Sequence, residues 1–154
     1  IVDSLVGSEM CIRDSNRLSN ENIRVKIIED KVAGIVIAYA GMDAEQLDEP
    51  IKEQLKRWTG QNVQIDVETE GPVYYLDTLS VDARHGGKGI GTELLQAAAE
   101  EGEKRGLQAF TLNADQTNVG AQRLYRRLGF KPVRTIEISG GTFDYMERRY
   151  DIQQ

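Results

Sequence analysis

Residues Tyr74–Ala99 read YYLDTLSVDARHGGKGIGTELLQAAA and pass from an alternating run through a glycine-dense turn into a helical pattern. The alternation predicts a strand over Val73–Val81, with Tyr75, Asp77, Leu79 and Val81 on one face and Tyr74, Leu76, Thr78 and Ser80 on the other. Ile90, Leu94, Leu95, Ala98 and Gly102 then form one stripe of a helix predicted over Ile90–Arg105, and Gly106 follows as its cap. Strand, glycine turn and helix in this order build an anion site. Glycines let main-chain N–H groups converge, and the helix N-terminus adds partial positive charge. The turn therefore predicts a cradle for a pyrophosphate.

The flanking segments extend this pattern. Ile23–Ile28 alternates, Glu29-Asp30-Lys31 turns, and Val32–Ala40 is a nearly continuous apolar run, so a hairpin is predicted whose second strand is buried on both faces. Asp43 to Trp58 has helical spacing, with Leu47, Ile51, Leu55 and Trp58 on one stripe, and Pro50 predicts a kink or restart within it. Val63, Ile65 and Val67 alternate as in a short strand. After the central helix come a strand over Leu107–Leu112 and a short helix over Asn118–Leu128. Phe130–Ile138 and Thr142–Arg149 then form a hairpin around Gly140-Gly141. The predicted class is α/β, in the α+β sense: a mixed, mostly antiparallel central sheet flanked by helices. Residues 16–154 form one domain with an insert at 41–72.

Composition narrows the function. The chain has 154 residues, a formal charge of −6, one cysteine and one histidine. An acidic balance argues against a nucleic-acid partner. No run approaches the ~18 apolar residues of a membrane span. The single Cys11 forbids an internal disulfide framework, and the lone His85 argues against a histidine metal site; a reducing cytoplasm fits best. Ile1–Ser15, IVDSLVGSEMCIRDS, has neither strand nor helix periodicity nor the parts of a signal peptide. It resembles translated adapter read-through, and the alternative is an ordinary flexible terminus.

Two familiar phosphate motifs fail. A P-loop needs a hydroxyl after its lysine, but Lys88 is followed by Gly89. A dinucleotide fingerprint begun at Gly87 or Gly89 ends on Thr92 or Leu94 instead of glycine. What remains is Leu79–Leu95, LSVDARHGGKGIGTELL, followed by Asn118–Phe130, NVGAQRLYRRLGF. The first resembles the acetyl-CoA pyrophosphate motif R/Q-x-x-G-x-G/A of the Gcn5-related N-acetyltransferase (GNAT) family. The second resembles that family's N-x-x-A-x-x-L-Y-x-x-L-G-F helix. The resemblance covers roughly Ile23–Arg149.

This resemblance implies acetyl transfer from acetyl-CoA to a primary amine, by direct attack through a tetrahedral intermediate and without a metal. Main-chain groups of Leu79 and Val81 would bind the pantetheine arm. The N–H groups of Gly86, Gly87, Lys88, Gly89, Ile90, Gly91 and Thr92 would bind the pyrophosphate. Gly86 stands where the family has Arg or Gln, a departure that implies weaker cofactor affinity; Arg84, His85 and Lys88 are candidates to supply the lost charge. Asn118 aligns with an asparagine that contacts the cofactor arm, and is equally an N-cap for its helix. Tyr125 aligns with the tyrosine that protonates the leaving thiolate, and on spacing alone is a core tyrosine. Asp77 is a candidate general base or a solvent-facing carboxylate, and Tyr75 a candidate for lining the acceptor pocket.

Asp43–Glu70 carries eight acids and three bases. It is either an acidic wall that favours a cationic acceptor or a solvated amphipathic helix on the sheet. A small-molecule amine is the expected acceptor, and a homodimer is compatible with the family. Relatives begin with a strand and one or two helices before the hairpin, so a foreign Ile1–Ser15 implies a truncated N-terminal unit. A CoA-binding sensor or degenerate module without useful catalysis is the alternative to an enzyme.

Overall fold

The structure, a computed structural model, describes residues 16–151. The predicted foreign stretch at 1–15, with Cys11, lies outside the described residues. Six strands form one sheet: β1 (Ile23–Ile28), β2 (Lys31–Ala40), β3 (Tyr74–Val81), β4 (Ala109–Asp115), β5 (Lys131–Ile138) and β6 (Gly141–Arg149). Three helices flank it: α1 (Ala44–Thr59), α2 (Ile90–Lys104) and α3 (Val119–Arg127). Strand order is β1-β2-β3-β4-β6-β5, and every pairing is antiparallel except β3 with β4. Among the described residues no helix is long and apolar enough to cross a membrane.

The central helix packs where its stripe predicts. Ile90, Leu94, Leu95, Ala98 and Gly102 are all buried, in one core with Val36, Ala38, Tyr74, Leu76, Phe110, Leu112 and Met146. Gly34 on β2 makes close approach possible. A Cβ there would lie 2.9 Å from both Ile90 Cγ2 and Leu94 Cδ1, so a larger residue would force these side chains to shift. The position of α2 fixes the position of the glycine turn that precedes it.

The strict alternation read for β3 is wrong. Opposite β2 the register steps from Ile37–Thr78 to Ala38–Leu76, which leaves Asp77 as an extra residue, a β-bulge. The bulge exchanges the faces. Tyr74 and Leu76 pack on the α2 side, and so do Leu79 and Val81, three and five residues beyond Leu76. Tyr75 packs on the other side with Tyr39, Ala44 and Leu47. An inserted residue changes no residue type, so the apolar pattern alone does not reveal it.

Other differences are smaller. Residues 62–70 form no strand, and Val67 is 71% exposed. Helix α1 runs through Pro50 without restarting. Its first turns bury Ala44, Leu47 and Asp48, Ile51 and Leu55 of the stripe are half-buried, and Trp58 is 74% exposed instead of completing it. Strand β4 begins at Ala109, later than the predicted Leu107, and the last hairpin turns at Ser139-Gly140, one residue early.

Candidate active site

Two half-sites meet where β3 and β4 part. The parallel ladder joins only Tyr74, Tyr75 and Leu76 to Phe110, Thr111 and Leu112, although both strands continue. Asp82 N–H donates to Ala33 O of β2 at 2.8 Å, and Ser80 O also faces β2 beside Gly34. Main-chain direction alternates along a strand, so the N–H and C=O groups of Leu79 and Val81 point the other way, into the gap that β4 has left.

The glycine turn opens at the end of this gap. Asp82 caps a short helical turn at Ala83–His85 by accepting from Arg84 N–H, and the chain then crosses Gly86–Gly89 into α2. Gly89 sits at the N-cap with φ +78°, a conformation costly to any residue with a Cβ, and has no capping side chain. The first helical bond is Glu93 N–H to Gly89 O, at 3.0 Å. Among the described residues the N–H groups of Gly87 through Thr92 meet no backbone acceptor. These unpaired donors at the positive end of a long helix fit a diphosphate. Arg84 is not free to supply the charge missing at Gly86, because it pairs with Asp82 at 2.6 Å. Lys88 remains, exposed, with Nζ 3.2 Å from His85 Nδ1.

The opposite half-site is made of side chains. Arg17 donates Nε–H to Asp48 Oδ1 at 2.8 Å and pairs through Nη1 with Glu68 Oε1 at 3.3 Å and Asp77 Oδ2 at 3.2 Å. All four side chains are at most 20% exposed. Tyr39 Oη–H donates to Asp77 Oδ2 at 2.8 Å, Thr78 to Asp77 Oδ1 at 2.9 Å, and Tyr75 to Glu68 Oε2 at 2.7 Å. Asn113 on β4 closes the network by donating to Tyr75 Oη and Glu68 O. The bulge thus delivers Asp77 to a buried ionic cluster. Burial, reinforced by Asp77, holds the Tyr39 phenol well above the ordinary tyrosine range, and burial with Glu68 does the same for Tyr75. Burial alone would weaken the Arg17 charge, but the Tyr39 oxygen and the three carboxylates outweigh it, and the guanidinium stays charged.

Helix α3 carries the last two sequence candidates. Asn118 Oδ1 accepts from Ala121 N–H at 3.0 Å, so the N-cap role is real, and its Nδ2 donates to no group among the described residues. Tyr125 packs edge-on to Phe130 with ring centroids 6.0 Å apart, against the α2-side core. Its hydroxyl has no hydrogen-bond partner among the described residues, and burial raises its pKa above the ordinary 10.0. The turn, Tyr125 and Asp77 are marked in the sequence, and Asp48 and Glu68 only as part of the acidic segment Asp43–Glu70, whereas Arg17, Tyr39 and Asn113 are not singled out. The one available signal was Tyr39, a polar tip inside an otherwise apolar run. Among the described residues no group of three or more His, Cys, Asp or Glu could hold a metal.

A mixed sheet that parts beside a glycine-capped helix defines an acyl-CoA transferase type of fold, and comparison with known proteins agrees. Residues 10–130 match the model of the acetyltransferase (GNAT) family. The chain belongs to the GNAT family. A solved acetyltransferase is 36% identical with a TM-score of 0.81, over 96% of this chain and 79% of its own. An N-acetyltransferase from Staphylococcus aureus Mu50 is 25% identical with a TM-score of 0.80, over 94% and 79%. The NatC complex bound to Gag peptide and CoA shares the fold at 14% identity and a TM-score of 0.59, over 85% of this chain and 72% of that one. Among curated proteins none matches.

Proposed function

We propose that the protein is an acetyl-CoA-dependent N-acetyltransferase that acetylates a primary amine by direct attack. The observation that carries this reading is the gap between β3 and β4, which opens onto the free N–H groups at the start of α2. The main chain of Leu79 and Val81 holds the pantetheine arm, and the N–H groups of Gly87 through Thr92 hold the pyrophosphate; the Gly86 N–H, expected to join them, donates to Ala83 O at 3.3 Å instead. The free Nδ2 of Asn118 is available to the same arm. Acetyl-CoA supplies an activated thioester, so the chain's own task is chiefly orientation and proton management.

Proton management falls to two residues. The amine nitrogen adds to the acetyl carbon to give a tetrahedral intermediate, whose collapse breaks the carbon–sulfur bond; one amine proton goes to Asp77, directly or through water, and Tyr125 gives its phenolic proton to the departing sulfur. A carboxylate offers about four acceptor sites. Asp77 has three engaged by Arg17, Tyr39 and Thr78, which leaves room for one incoming proton. Burial keeps Tyr125 protonated at neutral pH, the form a general acid needs.

A CoA-binding module without useful catalysis is the second reading, favoured by glycine at position 86 and by the commitment of Arg84 to Asp82. Thiol release from acetyl-CoA, assayed on an amine panel with the wild type and Tyr125→Phe, separates the two. Amine-dependent release that falls in the variant supports the enzyme. No amine-dependent release with any acceptor supports the binding module, and an unchanged rate in Tyr125→Phe removes the tyrosine from the mechanism.

A further inference from the structure

Beside the Arg17 cluster lies a cavity of about 410 Å³, between the first turns of α1 and residues 64–71, in the size range of small-ligand sites. Four carboxylates line it: Glu45, Asp48, Glu68 and Glu70. The charges do not balance. Arg17 pairs with Asp48 and Glu68 and shares its charge with Asp77, and Lys52 lines the cavity within the field of Asp48 and Glu45. Lys52 at the rim pairs with Glu49, which is not part of the lining. Four lining carboxylates, Glu45, Asp48, Glu68 and Glu70, against two lining cations, Arg17 and Lys52, leave a formal surplus of two negative charges, an arrangement that favours entry of another cation.

A second observation points to a ligand independently. Thr69 lines the same cavity, is only 2% exposed, and its Oγ1 has no hydrogen-bond partner. A buried hydroxyl without a partner is rare and costly, and its lone pairs suit an N–H donor. The carboxylates do not converge as metal ligands would. The edge-packed rings of Tyr39 and Tyr75, 5.7 Å apart, stand beside the cluster, and Tyr39 also lines the cavity, offering a surface to an alkyl chain. Through Tyr39 and Arg17 the cavity joins Asp77, the residue next to the parting of β3 and β4.

We propose that this cavity holds a second ammonium group of the acceptor, one that is not acetylated, so that the preferred substrate is an aliphatic diamine. This rests on the acetyltransferase reading. The distal ammonium donates to Glu68, Asp48 and Thr69 and keeps its charge throughout, while the near amine enters the gap beside Asp77. A monoamine leaves the carboxylates uncompensated, and an amino acid brings a further negative charge.

The test compares 1,4-diaminobutane, 1-aminobutane and 4-aminobutanoate on the full chain, by calorimetric binding without acetyl-CoA and by thiol release with it. We expect kcat/KM for the diamine to exceed that for the monoamine by at least about tenfold, the worth of one charge-assisted hydrogen bond, with the amino acid poorest. Glu68→Gln should lower the diamine-to-monoamine ratio about tenfold. Glu45→Gln, on the exposed rim and outside the Arg17 network, should lower it in the same direction without risk to folding. Equal kcat/KM for mono- and diamine, or preference for the amino acid, overturns the proposal while leaving acetyl transfer standing. Diamine binding weakened by Glu45→Gln, without acetylation of any amine, supports the cavity and defeats the transfer reading. No binding of the diamine at millimolar concentration overturns the proposal whatever the transfer assay gives.

Discussion

The two half-sites on either side of β3 are built from different materials. The donor side is main chain: glycines, strand amides and a helix N-terminus, all contributed by one continuous stretch. The proposed acceptor side is side chain: Arg17, Tyr39, Asp48, Glu68, Asp77 and Asn113 come from six separate segments and hold one another through ions and hydroxyls. A main-chain site tolerates substitution wherever the backbone keeps its path. A side-chain network fails when one member is lost.

The largest test of this contrast is Arg17→Met. Removing the guanidinium leaves three largely buried carboxylates facing one another, and we expect about 3 kcal/mol of lost stability by urea unfolding, the low end for a broken buried pair because each group retains some exposure. A loss below about 1 kcal/mol would mean a solvated surface network, worth little. Next is Tyr125→Phe. It keeps the packing on Phe130 and removes a hydroxyl that has no partner, so stability should hold while kcat falls about 10²-fold. Because burial raises this phenol above 10.0, loss of its proton should not limit the wild-type rate below that pH. A falling limb that lies near pH 9 and disappears in the phenylalanine variant would contradict the assignment.

Smaller effects should come from the donor side. Gly89→Ala puts a Cβ at φ +78° with no atom within 4 Å, so the strain alone acts, and we expect about 1 kcal/mol by the same urea assay. Acetyl-CoA binding should weaken more than folding does, since the strained turn carries the N–H donors. Asn118→Ala removes the bond to Ala121 N–H and should cost about 1 kcal/mol or slightly less. If Asn118→Asp restores stability but not acetyl-CoA affinity, the free Nδ2 is the group that meets the cofactor arm.

Legibility in the sequence follows the same division. Glycine spacing, the stripe on α2 and the motif around Tyr125 are local patterns, and one stretch of chain suffices to read them. The acceptor side was hidden for two physical reasons. The bulge at Asp77 shifts register without changing residue type, so the alternation from Tyr75 to Val81 read as one face although Leu79 and Val81 pack with α2. Glu68 lies in a segment whose alternating valines and isoleucine imitate a strand but which forms none. Arg17 has no periodic neighbour to mark it, and only the folded chain brings it to Asp48, 31 positions away.

Thermal unfolding of the full chain with and without acetyl-CoA tests the central claim most directly. If the free amides from Gly87 to Thr92 form a cofactor cradle, acetyl-CoA at about a hundred times its Kd should raise Tm by roughly 5–10 °C. Gly89→Ala should need more ligand to reach the same shift, while Glu68→Gln should follow the wild-type ligand dependence. No shift at millimolar acetyl-CoA would contradict the account at its base.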